Sequence, residues 1–331
     1  MAQIADLAGV SMATVSRVIN GRDGVSEEKR EAVERVVREH GYRPALGARS
    51  LSAGRTGLIA VTVPWIAPSY FTLTIAGVTA ALDERELRAV LCPTAERRGS
   101  ELAALGELLH GTADGAVLIL PSASAPSLHD LQEAGHRFVI VDPVERVGRD
   151  IAAVSSAHAA GADEAVRHLL ELGHRRIAAI TGLPVRVATV QRLRGYRAAL
   201  ASAGLLADDE LIVESDFMIT GGRTAATRLL DLPEPPTAIF AFNDNLAIGA
   251  MQVARARGLR LPEELSVVGF DDTGEAELVT PALTTVRQPL AEMGKLAVAL
   301  LARLLAGEQP DALQLELATE LVIRESTAPA P

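Results

Sequence analysis

The chain has 331 residues, 48% of them hydrophobic, enough for more than one large core, and its single cysteine, Cys92, excludes an internal disulfide framework. There is no basic-plus-apolar leader and no apolar run of membrane-spanning length, so a soluble cytoplasmic protein of two or three domains, without a membrane partner, is expected. The net charge of −10 is uneven: residues 1–55 carry nine Lys or Arg against seven Asp or Glu, leaving −12 on the remainder. A slightly basic head on an acidic body confines phosphate attraction to the head.

Taken in order, Ala5 to Asn20 has the spacing of two short helices crossing through a tight turn. Ala5 permits close approach, Gly9 can take the positive φ that ends the first helix, and Val15 fills the crossing. Ser11 is a natural N-cap for a second helix running to about Asn20. Val15, Val18 and Ile19 would face inward, leaving Met12, Ala13, Ser16, Arg17 and Asn20 outward, a short polar set suited to a DNA major groove. A third helix starts at Ser26, with Glu27 and Glu28 at its positive dipole end and an apolar stripe of Ala32, Val33, Val36 and Val37. Gly41 and Pro44 close it.

Pro44 to Ser52 is too short to be a stable helix alone, and Gly47 weakens it further, so it should fold only with a partner. The boundary between head and body falls near Arg55. Beyond it, apolar runs at Leu58 to Val63, Ala89 to Leu91, Ala116 to Leu120 and Phe138 to Val141 read as buried parallel strands. A second series comprises Ile177 to Thr181, Ala238 to Phe242 and Leu265 to Phe270. Amphipathic segments such as Ala162 to Leu172, Leu193 to Ala203 and Asn245 to Gly258 separate the strands. Two successive βα sets imply an α/β body of two doubly wound parallel-sheet lobes, with ligands at the carboxyl ends of the strands in a cleft.

Catalysis finds no motif: G-x-G-x-x-G, a Walker loop, G-x-S-x-G and H-E-x-x-H are all missing. His168 and His174 lack the i, i+4 spacing of a metal pair and suit packing around the Leu172-Gly173 turn. No catalytic residue, metal or cofactor is expected.

The chain closely resembles the LacI/GalR family of bacterial transcriptional regulators. The residues that carry this are A-G-V-S-M-A-T-V-S-R-V-I-N-G (8–21), V-S-E-E-K-R (25–30), G-Y-R-P (41–44) and H-L-L-E-L-G-H-R-R-I-A-A-I-T-G (168–182). R-L-R-G-Y (192–196), F-N-D-N-L-A-I-G-A (242–250), L-S-V-V-G-F-D-D-T (265–273) and P-A-L-T-T-V-R-Q-P (281–289) continue the series. The resemblance implies an N-terminal all-α helix-turn-helix head (1–43), a hinge helix and linker (44–55) and a body (56–331) like type I periplasmic binding proteins. The N-lobe would take residues about 56–156 and 287–317, and the C-lobe about 157–286 and 318–327.

By the same likeness Met12, Ala13 and Arg17 face base edges, Thr14, Ser16, Asn20 and Ser26 hold phosphates, and Ala48 and Leu51 enter the minor groove. Effector contacts would come from Asp142, Arg192, Phe217, Asn243, Asp271 and Gln288, with Ser69, Tyr70 and Phe71 in the segment after the first body strand and Trp65 just before it. That set suits a polyol: charged groups and amides grip hydroxyls while Phe217 offers a flat face. Plainer roles stand beside these. Asp142 and Asp271 each end a strand where a carboxylate caps a turn, Arg192 suits an interlobe salt bridge, the aromatics suit the core, and Gln288 suits a bond to the backbone between lobes.

The implied partners are a pseudo-palindromic double-stranded operator, a second copy of the chain, and a small effector that is a sugar or sugar derivative. The implied function is a dimeric repressor of carbohydrate genes, with a purine or other non-sugar effector as the alternative and a solute-binding protein without DNA function as the remoter one. Ala45 replaces the asparagine common after the hinge proline, and only three residues precede Ile4, where relatives have several more with a threonine cap. The chain stops at Pro331 without a leucine-rich tetramerising tail, which favours a dimer.

Overall fold

The computed structural model describes residues 1–19, 23–41, 55–67, 69–95 and 98–331. Two units divide it, Met1–Gly57 and Leu58–Pro331. Asn20, Ala45, Ala48 and Leu51, with the rest of the expected 44–52 segment, lie outside the described residues.

In the first unit, α1 (Ala2–Ala8), α2 (Met12–Ile19) and α3 (Glu27–Glu39) form the expected three-helix head. Gly9 ends α1 in the left-handed region at φ 65°, where a residue without Cβ is unstrained. The Ser11 hydroxyl accepts from the Thr14 amide at 3.2 Å, capping α2. Ile4, Ala5, Val15, Val18, Val33 and Val36 form the core, with Ile19 only partly buried at its edge. Ser26 occupies the N-cap of α3, but its hydroxyl makes no cap bond, contrary to the sequence expectation; its carbonyl accepts from the Arg30 amide at 3.0 Å.

The second unit holds two six-stranded sheets. Its first lobe contains β1 (Leu58–Val63), β2 (Arg88–Pro93), β3 (Gly115–Ile119), β4 (Phe138–Val141), β5 (Ala153–Ser156) and β11 (Gln314–Leu317), all parallel in the order β11-β5-β4-β3-β1-β2. Helices α4 (Ser69–Asp83), α5 (Arg98–Leu109), α6 (Ala125–Glu133) and α12 (Leu290–Leu305) belong to this lobe. The second lobe orders β6 (Ile177–Ile180), β7 (Ile212–Val213), β8 (Ala238–Ala241), β9 (Ser266–Asp271), β10 (Thr284–Arg287) and β12 (Glu320–Val322) as β12-β10-β9-β8-β6-β7. Only β12 runs antiparallel there. Its helices are α7 (His158–Glu171), α8 (Val187–Ser202), α9 (Ile219–Leu230), α10 (Asp244–Ala256) and the short α11 (Gly274–Leu278).

Strands β1, β3, β4, β6, β8 and β9 are buried almost throughout, as strands covered on both faces must be. The chain crosses between lobes after β5, after β10 and between β11 and β12. The Ala157 amide donates to the Leu317 carbonyl at 2.8 Å, tying the first crossing to the third. His168 and His174 pack as expected: His168 contacts the Thr327 hydroxyl at 3.0 Å and His174 contacts Thr237, Ser266 and the Ala328 carbonyl, holding the C-terminal segment down.

Candidate functional site

Helix α2 shows one apolar and one open face. Val15 and Val18 point into the head, while Met12, Ala13 and Arg17 are exposed and Thr14 and Ser16 half-buried. Met12 keeps 56% of its surface open, an apolar side chain that the core does not take. The Thr14 hydroxyl pairs with Ser11 at 3.0 Å.

The body's cleft, of about 960 Å³ including its mouth, lies at the carboxyl ends of both sheets. Its lining brings together eight of the nine expected effector residues: Ser69, Tyr70, Phe71, Asp142, Arg192, Phe217, Asn243 and Asp271. Ser69 to Phe71 form the first turn of α4, Asp142 follows β4, Asp271 ends β9, and Arg192 projects from α8. Trp65, half exposed, stands at the rim. Phe71 is largely buried in the first lobe's core and packs edge-to-face with Tyr70, their ring centres 5.3 Å apart.

Backbone strain gathers here. Leu120, Asp142, Phe217 and Asp271 line the cleft with φ of 44°, 51°, 67° and 121°. Such conformations in non-glycine residues cost about 1–3 kcal/mol each and persist where the surroundings hold them. Phe217 is held by Gly182: a Cβ on that glycine would fall 1.9 Å from the ring. Arg186 lies over the same ring, 5.5 Å from its centre.

A buried polar network forms the cleft floor. Tyr70 donates its hydroxyl to Asp142 at 2.6 Å, and His158 Nε2 meets the other Asp142 oxygen at 3.2 Å. Arg192 bonds the Phe242 carbonyl, lies 3.7 Å over the Phe270 ring, and reaches Asp271 at 3.7 Å and His158 Nδ1 at 3.3 Å. Burial pushes the Asp142 carboxyl up, but His158, Tyr70 and Arg192 outweigh it and hold the group below its ordinary value. Asp271 goes the other way, well above its ordinary value, because burial and nearby Asp244 exceed the help from Arg192 and Gln288. Asp244, inside the first turn of α10, is pushed up to about 7 by burial despite bonds from Thr285 and Thr273.

Gln288 departs from the expectation. It does not line the cleft but sits beneath it at 4% exposure, accepting the Ser156 hydroxyl and donating to Asp271 at 2.6 Å. Both ends of its amide are therefore engaged by protein, joining the crossing after β5 to the crossing after β10. Asn243 serves structure as well as cleft: its carbonyl oxygen caps α10 at the Leu246 amide (2.9 Å) and its amide donates to the Phe217 carbonyl (3.0 Å). Sequence reasoning missed His158, Asp244 and Glu275. The first sits just past β5, a strand without a distinctive apolar run; the others were legible only as neighbours of the N-D and D-D-T motifs.

A three-helix head with one open helix face, on a chain whose larger unit has two parallel-sheet lobes, is the architecture of a DNA-binding regulator. Residues 1–45 match bacterial regulatory proteins of the lacI family, and residues 166–327 match a periplasmic binding protein-like domain. The transcriptional regulator CelR of Thermobifida fusca is 39% identical over 98% of this chain and 96% of its own. A structure of a CelR–cellobiose complex matches at TM-score 0.76 and 38% identity over 98% of both chains. The lac repressor dimer bound to operator and the anti-inducer ONPF matches at TM-score 0.87 and 27% identity, again over 98% of both. The chain belongs to the LacI family of bacterial regulatory proteins. It is a DNA-binding transcriptional regulator, not an enzyme. Among the described residues no helix is long and apolar enough to cross a membrane.

Proposed function

We propose that this regulator is a homodimeric repressor of carbohydrate uptake or catabolism genes, controlled by a small sugar-like effector in the interlobe cleft. The observation that carries the reading is the cleft itself: Asp142, Arg192 and Asp271 converge on its floor while Trp65 and Phe217 supply ring faces above. Charged groups that grip hydroxyls, combined with flat apolar faces, are the chemistry of a sugar site. The similarity to a regulator seen with cellobiose supports a glycoside as the first ligand to try.

On the DNA side, Met12, Ala13 and Arg17 read base edges and Thr14, Ser16, Asn20 and Ser26 hold phosphates. Two heads, one from each protomer, address the half-sites of a pseudo-palindromic operator, as the operator-bound dimer of the lac repressor suggests. Ala48 and Leu51 in the connecting residues 44–55 would enter the minor groove at its centre. Effector binding shifts the balance between lobe arrangements, and DNA favours the one that brings both heads onto the operator.

Calorimetric titration of the full chain with cellobiose tests the effector reading, with heat of binding expected. Binding of hypoxanthine but of no sugar would move the effector to the purines and leave the regulator in place. Arg17→Ala tests the head: a lost bidentate base contact is worth about 2 kcal/mol, or roughly a thirtyfold loss of operator affinity in a gel shift. Equal binding by variant and parent would remove Arg17 from the reading set.

A further inference from the structure

The Val187 amide, at the first position of α8 in the second lobe, donates to the Val144 carbonyl of the first lobe at 2.8 Å. Val144 follows β4, and neither residue belongs to a chain crossing. Arg192, on the cleft floor, lies about 7 Å further along the α8 axis at 1.5 Å per residue, so the bond stands up the wall of the cleft. Pro143, Val144, Arg186 and Ala188 line the cleft, while Glu145, Arg146, Val185 and Val187 line a separate hollow of about 440 Å³. The bond is part of the partition between the two.

Its chemistry differs from that of the other tie across the cleft. Ser69 bonds Glu275 at 2.5 Å through two side chains, and a rotamer change can break it. Val144 and Val187 use backbone at both ends, so their bond breaks only when the loop or the lobe moves. The Val187 amide is one that a helix cannot answer internally, and α8 has no side-chain cap. With the lobes together the opposite lobe supplies its acceptor; with the lobes apart water must. Arg186, the residue before it, lies over Phe217 in the cleft lining, so a ligand packed on that pair steadies the peptide that carries the bond.

Resting on the effector-cleft reading above, we propose that the Val144–Val187 bond is a latch that holds the lobes shut, and that its breaking is the step that limits ligand exchange.

One substitution isolates the amide. Proline is accepted at the first position of a helix, where its ring fixes the φ that the helix needs, and Arg186 before it is already extended at φ −79°, ψ 129°. Val187→Pro therefore deletes the donor and spares the helix, whereas Val187→Ala trims the side chain and keeps the donor. Trp65, the single tryptophan, reports from the cleft rim. In stopped-flow fluorescence of the full chain with cellobiose, Val187→Pro should raise the association and dissociation rates about fivefold over Val187→Ala, the shift that one net hydrogen bond gives to an opening step common to both directions. Equal rates in the two folded variants overturn the proposal. Residue-resolved hydrogen exchange of the wild-type chain needs neither variant nor ligand. The Val187 amide should exchange at least fivefold more slowly than an unbonded peptide amide, yet at least tenfold faster than the amides of Tyr196 and Ala199 in the buried interior of α8. Exchange at the unbonded rate means that the latch is not closed, and exchange in step with Tyr196 and Ala199 means that it opens only when α8 unfolds; either overturns the proposal. If cellobiose does not bind, the sugar reading fails by itself, and the exchange comparison still decides the latch.

Discussion

Arg192 shows how closely function and stability are joined in single side chains of this molecule. The residue is 4% exposed, its guanidinium stacked on Phe270 and flanked by Asp271 and His158. Such a buried pair adds little over an apolar replacement of both partners, but losing one partner strands the other. Arg192→Met should therefore destabilise the body by about 3 kcal/mol, read from the urea midpoint, and adding Asp271→Asn should recover part of the loss. A double variant no more stable than Arg192→Met would show that Asp271 is not left uncompensated. The carboxylates make a second prediction. Asp244, whose folded value is about 7, contributes stability below its unfolded value of about 3.9, and that contribution is lost as pH rises toward 7. Asp244→Asn should accordingly gain on the parent between pH of about 4 and 7 in urea titrations, whereas Asp142, held low, gives stability above about 3.9 that is lost in acid. At this scale the family resemblance made Asp142, Arg192, Phe217, Asn243 and Asp271 legible: Asp142, Asn243 and Asp271 lie at strand ends, while Arg192 lies in α8 and Phe217 in the loop before α9. His158 and Glu275 were not, because their meaning comes from partners 16 and 206 residues away, Asp142 and Ser69.

At the level of elements, glycine contacts set the helix spacing in both lobes. A Cβ on Gly77 of α4 would lie 1.9 Å from the Ala291 carbonyl oxygen of α12, and one on Gly294 of α12 would lie 2.4 Å from the Thr74 oxygen. The second lobe repeats the device: a Cβ on Gly222 of α9 would lie 2.4 Å from the Leu246 oxygen, and one on Gly249 of α10 would lie 2.3 Å from the Ile219 oxygen. Backbone cannot withdraw as a flexible side chain can, so Gly222→Val should destabilise the body by about 3 kcal/mol and lower its melting temperature. An unchanged melting temperature would mean that the α9–α10 crossing is looser than described. The buried strands were legible from composition because their apolar runs are uninterrupted. Among the outer strands, β2 was legible at Ala89 to Leu91 but is mostly exposed rather than buried because it lies at the sheet edge, whereas β7 has two residues and β11 alternates exposed and half-buried positions, so pairing with a neighbour makes them strands. Ser26 fails for the complementary reason. The sequence marks the position of an N-cap, while the direction of the hydroxyl depends on the packed head.

Across the whole molecule, three chain crossings join the lobes, and two of the ties between them are specific: Ala157 to Leu317, and Ser156 through Gln288 to Asp271. The second tie ends on a cleft residue, so a ligand that engages Asp271 acts directly on the connection between lobes. Ser69 and Glu275 supply a further link across the cleft. On the proposed function, coupling at the crossings would let the cleft bias lobe orientation, and linkage would then require that effector and operator change each other's affinity by the same factor. The most direct measurement is fluorescence anisotropy of a labelled palindromic DNA, selected by the protein from a random pool, at fixed salt with and without saturating effector sugar. The account predicts a shift of at least tenfold in the Kd for DNA, matched by an equal shift in the sugar Kd when DNA is saturating. An operator Kd unchanged by saturating sugar would contradict it.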